Sequence, residues 1–356
     1  MQDEIARTIA EKLKSKLAGG GQRPLVQAPT RDLEAYQLYL QGRFHWLQRG
    51  AGLMRALPYF DAALARDPNF ALVYAGIADT HVLQALYGSA RPSEIMPKAR
   101  SAVERALVLE PDLAEAHCAL GFIRIFYERD TRAARQSFQR AIELKPSYAT
   151  SYSWYAAVLS ARAQFEQAPE MSLTALRAEP LSLPAGINAA WTLIYFGRSE
   201  EAVARAQRVI ELDPKFFPGY WVLGQALICR GHVEEGIEAL RKSVEHSHRI
   251  AWMVATLGCG LVCGGQSEEA RRLLHELTCR MANEYVPAFA LAMLEAFLGE
   301  EAAFAVSMER AIADGDAGLA LLRNAPGPIA PMAIPAAYLS AAKRAVYVER
   351  LGLNRE

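Results

Sequence analysis

Apolar residues recur along the chain at helical spacing, as in Leu72-Val73-Tyr74, Ile77-Ala78 and Val82-Leu83. Each such stretch leads through a turn into a second stretch that opens on acidic residues, as in Ser199-Glu200-Glu201-Ala202 and Ser267-Glu268-Glu269-Ala270. Glycine marks the turns: Gly197, Gly231, Gly265 and Gly299 lie 34 residues apart, where a helix stop commonly needs positive φ. The serines are expected as N-caps, and the glutamates complement the positive end of the helix. A pattern such as Phe138-xx-Ala141-xxxx-Pro146 closes the unit, because proline stops the second helix.

The prolines set the period. Pro68, Pro111, Pro146, Pro180 and Pro214, each preceded by a charged residue, stand 43, 35, 34 and 34 residues apart. Ten residues after them come Ala78, Gly121, Ala156, Ala190 and Gly224, small enough to let two helices approach closely. Leu257, Gly258 and Ala270 keep the phase after His248, which stands where the next proline is due. A repeat of this length predicts an array of helical hairpins rather than separate globules.

On these residues the chain resembles the tetratricopeptide repeat (TPR) family over about residues 36–316, roughly eight hairpins. The resemblance implies an all-α fold, a right-handed α-α superhelix. Three units depart from the pattern: the first has two extra residues in its turn, the second a nine-residue insertion around Tyr87–Pro92, and the fourth has Pro169 near the start of its second helix. In the family the first helices line the concave surface. Projected onto this chain, that surface takes in Tyr39, Arg43, Trp46, Asp79, Phe122, Phe126, Trp191, Tyr195, Trp221, Gln225, Phe289 and Met293. Family members that clamp a C-terminal carboxylate use Lys and Asn where this chain has Cys118, Phe122, Ile187, Trp191, Trp221 and Gln225, so that clamp is absent. The expected ligand is an apolar extended or helical protein segment, anchored by aromatic rings.

A narrower resemblance concerns the openings Ala35–Arg43 and Ala71–Asp79 and the helix Gln2–Ala10. They are similar to the repeat halves, and the TolB-like segment before them, of large bacterial signalling proteins linked to a winged-helix domain, a nucleotide cyclase or a Ser/Thr kinase. None of the catalytic or DNA-reading residues of those linked domains is present. The resemblance implies a sensory or interaction module of a signalling or transcription-regulatory system; the alternative is a ligand-responsive module that controls a linked effector.

Residues 1–31 read as an amphipathic helix (Ile5, Ile9, Leu13, Leu17) and a linker, 32–316 as the array, and 317–356 as a proline-rich segment with a final helix. The N-terminal helix is either a cap or a partner-binding helix. The C-terminal helix either caps the last repeat or folds back into the groove.

Composition narrows the partners. The 39 basic residues balance the 39 acidic ones, which disfavours nucleic acid, and no apolar run approaches the roughly 18 residues of a membrane span. A cytoplasmic protein is expected. Five cysteines without CxxC pairs give no disulfide framework. No phosphate loop or GxSxG elbow occurs. His275 and Cys279 are too few to hold a metal. The expectation is therefore no enzyme, no cofactor and no metal.

Overall fold

In a computed structural model that describes residues 29–160, 168–319 and 349, sixteen α-helices follow one another, and no strand occurs among the described residues. The expected N-terminal helix (3–17), the proline-rich segment (325–335) and, Glu349 apart, the final helix (336–351) lie outside the described residues. The helices pair as eight antiparallel hairpins: α1 (Leu33–Gln48) with α2 (Ala51–Arg66), α3 (Ala71–Leu86) with α4 (Pro92–Leu109), α5 (Ala114–Phe126) with α6 (Thr131–Leu144), and α7 (Ala149–Ser160) with α8 (Ala168–Ala178). The later ones are α9 (Leu183–Tyr195) with α10 (Ser199–Leu212), α11 (Phe217–Cys229) with α12 (Val233–His246), α13 (Ala251–Cys263) with α14 (Ser267–Arg280), and α15 (Ala288–Leu298) with α16 (Glu301–Asp314). The result is an all-α superhelix.

First and second helices differ in composition for a packing reason. Helix α13 carries no charge and buries ten of its thirteen residues, because it is covered on both sides by neighbouring hairpins. Helix α14 buries three, Ala270, Leu274 and Leu277, one narrow stripe at helical spacing, and gives its other faces to water. Within a hairpin the small residues set the approach. A Cβ added to Gly224 would lie 2.6 Å from Leu240 Cγ and 2.8 Å from the carbonyl oxygen of Gly236, so α11 and α12 touch backbone to backbone there.

Both punctuation marks work as expected. The residues before four of the prolines are extended, with φ of −130° at Asp67, −142° at Glu110 and Lys145, and −145° at Asp213. Proline's ring disfavours the helical conformation in its predecessor, a preference that prevails at these helix ends though not at Pro58 and Pro97 inside α2 and α4. Gly197, Gly231, Gly265 and Gly299 have φ of 74°, 83°, 76° and 87°. Each sits in a six-to-one turn, as where Arg198 N–H donates to Leu193 O at 2.9 Å and Gly197 N–H to Ile194 O at 3.1 Å.

That turn corrects the expected N-caps. Ser199 and Ser267 are the first helical residues of α10 and α14, and Arg198 and Gln266 hold the cap positions without a side-chain cap. The residue after the glycine completes the turn and opens the next helix at once, which leaves no place for a separate capping serine.

The superhelix closes on itself. The insertion in the second unit reaches the other end of the array: Tyr87 sits edge-on to Phe217 at 5.8 Å, and Gly88, at φ 70°, lies so close to Pro287 that an added Cβ would be 2.1 Å from its Cγ. Arg91 pairs with Asp314 and lies 5.0 Å above the Tyr285 ring. What reads in the sequence as an interruption of the repeat is the clasp between its two ends. The eighth hairpin thereby covers the concave side, and Asp316 fixes the turn that follows α16 by accepting from Phe289 N–H at 3.0 Å and Gly318 N–H at 2.9 Å.

Candidate functional site

Closure leaves a cavity of about 130 Å³ at the centre. Its lining comes from the first helices of hairpins two to eight, with Arg49 from the turn of hairpin one and Ala317 and Gly318 from the turn after α16. On α9 the lining residues are Pro184, Ile187, Asn188, Trp191 and Tyr195, whose spacings of three, one, three and four make one helical stripe. Neighbouring first helices turn equivalent stripes toward the same space, so aromatic residues far apart in sequence converge.

Seven of the twelve residues projected onto the concave surface line this cavity: Phe122, Phe126, Trp191, Tyr195, Trp221, Gln225 and Met293. Phe122 stacks on Phe126 at 4.2 Å and meets Trp154 edge-on at 4.8 Å, while Trp191 meets Tyr195 edge-on at 4.7 Å. Trp221 Nε1 donates to Thr256 Oγ1 at 3.4 Å, and Gln225 Nε2 donates to Trp221 O at 3.4 Å. Few polar groups are left to face a ligand.

The other five do not reach the cavity wall. Tyr39 packs between hairpins, 6.1 Å from Phe60 and 5.3 Å from Phe70, and burial pushes its hydroxyl up to about 12. Phe289 stacks on Trp252 at 6.1 Å behind the lining. Asp79 is buried and bonds Arg43 Nη1 at 2.9 Å; burial raises its carboxyl to about 6 against the pull of Arg43. Arg43 in turn lies 4.0 Å over the Trp46 ring, and Trp46 is buried beneath the cavity.

Sequence reasoning passed over Trp154, Trp252, Asn188 and Arg49. Trp154 stands eight residues after Pro146 and Trp252 four after His248, one and two helical turns earlier than Trp191 on the stripe that carries Trp191 and Tyr195. Extending the stripe backwards by one turn identifies Trp154, and by two turns Trp252. Arg49 gave no periodic signal, because it belongs to the irregular turn of the first unit.

Other candidate chemistry stays dispersed. His275 Nε2 lies 3.6 Å from Cys279 Sγ on an exposed face, and no group of three or more His, Cys, Asp or Glu suited to a metal occurs among the described residues. Among the described residues, no helix is long and apolar enough to cross a membrane.

No family model matches the chain, and no curated protein matches it. Among solved structures it is similar to PilF of Pseudomonas aeruginosa, at 15% identity and a TM-score of 0.41 over 59% of this chain and 95% of that one. It is similar to PilW, a type IV pilus biogenesis factor, at 15% identity and a TM-score of 0.35 over 71% and 96% of the two chains. A third is YrrB, described as a TPR protein with an unusual peptide-binding site, at 18% identity and a TM-score of 0.34 over 52% and 91%. The hairpin architecture described above stands on contacts within this chain.

Proposed function

We propose that the chain is a non-catalytic scaffold of the TPR type that binds a protein or peptide segment by admitting a large apolar side chain to the central cavity. The observation that carries this reading is the convergence of residues from all eight hairpins on one aromatic-lined space. Its volume of about 130 Å³ is below the roughly 300 Å³ of a drug-sized pocket and near the 150 Å³ that admits benzene. One side chain fits, and a whole peptide does not. Burying one ring is worth roughly 1.5–3 kcal/mol, short of the 8.2 kcal/mol of micromolar binding, so the rim must contribute too.

Selection of short peptides displayed on phage tests this. Enriched peptides are expected to share one Phe, Trp or Leu anchor, and Trp191→Ala or Phe126→Ala is expected to abolish their binding while the far-ultraviolet circular dichroism stays unchanged. Binding that survives both substitutions refutes the cavity as the site.

The finer reading is an interaction module of a bacterial signalling or transcription-regulatory system, working in the cytoplasm; it is supported by the resemblance at residues 2–10, 35–43 and 71–79. An effector domain encoded directly upstream of Met1 would strengthen it, and an unrelated gene there would weigh against it.

One observation favours a second reading, in which the chain's own C-terminal segment competes for the cavity: the backbone leaves α16 through the cavity wall at Ala317 and Gly318. Deleting residues 325–356 is then expected to raise affinity for the selected peptides, and unchanged affinity counts against it.

A further inference from the structure

We propose that Arg49 makes the central cavity a site for a small carboxylate with an apolar, ring-sized body, the guanidinium meeting the carboxylate and the aromatic walls holding the body. The proposal rests on the reading of the cavity as a binding site and adds the chemistry of what it binds.

Arg49 is only 3% exposed and forms part of the cavity wall. It is held there by its backbone: φ is 60° at Arg49 and 48° at Gly50, a turn that the two extra residues of the first unit create. Its stem and plane are fixed. The guanidinium carbon lies 3.9 Å over the Trp46 ring, and Nη1 donates to Trp46 O at 2.8 Å.

Nε has no hydrogen-bond partner, although a guanidinium carries five N–H donors in a fork that suits a carboxylate. Nor does Arg49 form an ion pair with any described residue; Asp79 pairs through Oδ2 with Arg43 at 2.9 Å and acts on Arg49 only through its field. Arg43 and Arg49 thus both lie over one indole, 4.0 and 3.9 Å from its centre, and of the two only Arg43 pairs with Asp79.

Burial lowers Arg49 to about 10, which still leaves it protonated at neutral pH. A buried charge without its own counter-ion is unfavourable until an anion arrives. The surrounding Trp154, Trp191, Trp221 and Phe122 exclude a hydrated inorganic anion and favour one attached to a hydrocarbon. The cation comes from an inter-helix turn, away from the first-helix positions where the family's carboxylate clamp would lie.

The test uses the whole chain and four probes: 3-phenylpropanoate, its neutral amide 3-phenylpropanamide, the peptide Gly-Gly-Phe, and the same peptide amidated. All five tryptophans lie at the cavity or directly beneath it, so their emission reports occupancy. The acid is expected to bind at least tenfold more tightly than the amide. In Arg49→Gln that preference is expected to vanish while affinity for the amide is kept.

Equal binding of acid and amide by the unaltered protein overturns the role of Arg49 and leaves the cavity reading standing. Binding of neither probe overturns both. That comparison needs no variant, so it holds even if Arg49→Gln fails to fold. Free acid bound without Gly-Gly-Phe assigns a free small molecule as the source, and binding of Gly-Gly-Phe but not its amidated form assigns a chain end.

Discussion

Replacing Gly88 by alanine asks whether the clasp between the second unit and the end of the array is a determinant of the fold. Two penalties apply. At φ 70° an L-residue loses roughly 1–2 kcal/mol. The new Cβ would also stand 2.1 Å from Pro287 Cγ, and the proline ring, opening α15, has no rotamer by which to withdraw. The clasp must then shift by more than an ångström or detach, an overpacking loss of roughly 1–3 kcal/mol. A control separates the terms. Gly231 has φ 83° with nothing within 4 Å of an added Cβ, so Gly231→Ala bears the backbone penalty alone. The assay is urea unfolding followed by tryptophan emission and by far-ultraviolet circular dichroism. Gly88→Ala is expected to lose roughly 2–5 kcal/mol and Gly231→Ala roughly 1–2 kcal/mol. Helix content should remain, because hairpins in a stack are held mainly by their neighbours. Tryptophan emission of folded Gly88→Ala should shift to the red as water enters the cavity. Equal losses in the two variants, with unchanged emission, refute the clasp.

Other outcomes follow from single contacts. Trp191→Ala and Trp221→Ala, both half-buried on the cavity wall, are expected to keep helicity and a cooperative melt while losing the emission change on probe binding; collapse of cooperative unfolding in both would make them core residues only. Gly224→Ala is expected to destabilise by about 1–3 kcal/mol, because its methyl meets the Gly236 carbonyl oxygen at 2.8 Å; chemical denaturation measures it, and an unchanged midpoint would contradict the backbone contact. Burial raises Asp316 from 3.8 to about 6 in the folded chain, so the folded state binds this proton more readily than the unfolded one. The associated stability is full below about pH 4 and is lost as pH rises through about 6; Asp316→Asn should flatten that part of the profile of unfolding free energy against pH, and an unaltered slope would show that the carboxyl does not titrate there.

The repeat, the hairpin and the role of each proline and turn glycine were legible because each is a local matter. Proline acts on its predecessor, and a glycine at the end of a first helix acts on six residues. Helical spacing puts Trp191 with Tyr195, and Trp221 with Gln225, on one face of their respective helices, while the expectation that this face lies inward came from the resemblance to the repeat family. Closure was not legible. It depends on where the eighth hairpin arrives after seven small rotations, and no window of sequence contains both Gly88 and Pro287. The insertion at Tyr87–Pro92 was visible as a departure from period, yet its purpose needed the far end of the chain beside it. The same dependence separates Phe122 and Met293, which face the cavity, from Phe289 and Trp46, which are buried in the packing around it. Arg49 escaped because φ of 60° in a non-glycine residue has no sequence signature.

Small-angle X-ray scattering of the chain in dilute solution tests closure most directly. A superhelix whose ends meet through Tyr87, Gly88 and Arg91 predicts a radius of gyration near the roughly 20 Å of a compact chain of this length, and an increase in Gly88→Ala. An elongated profile, identical in the two proteins, would contradict it.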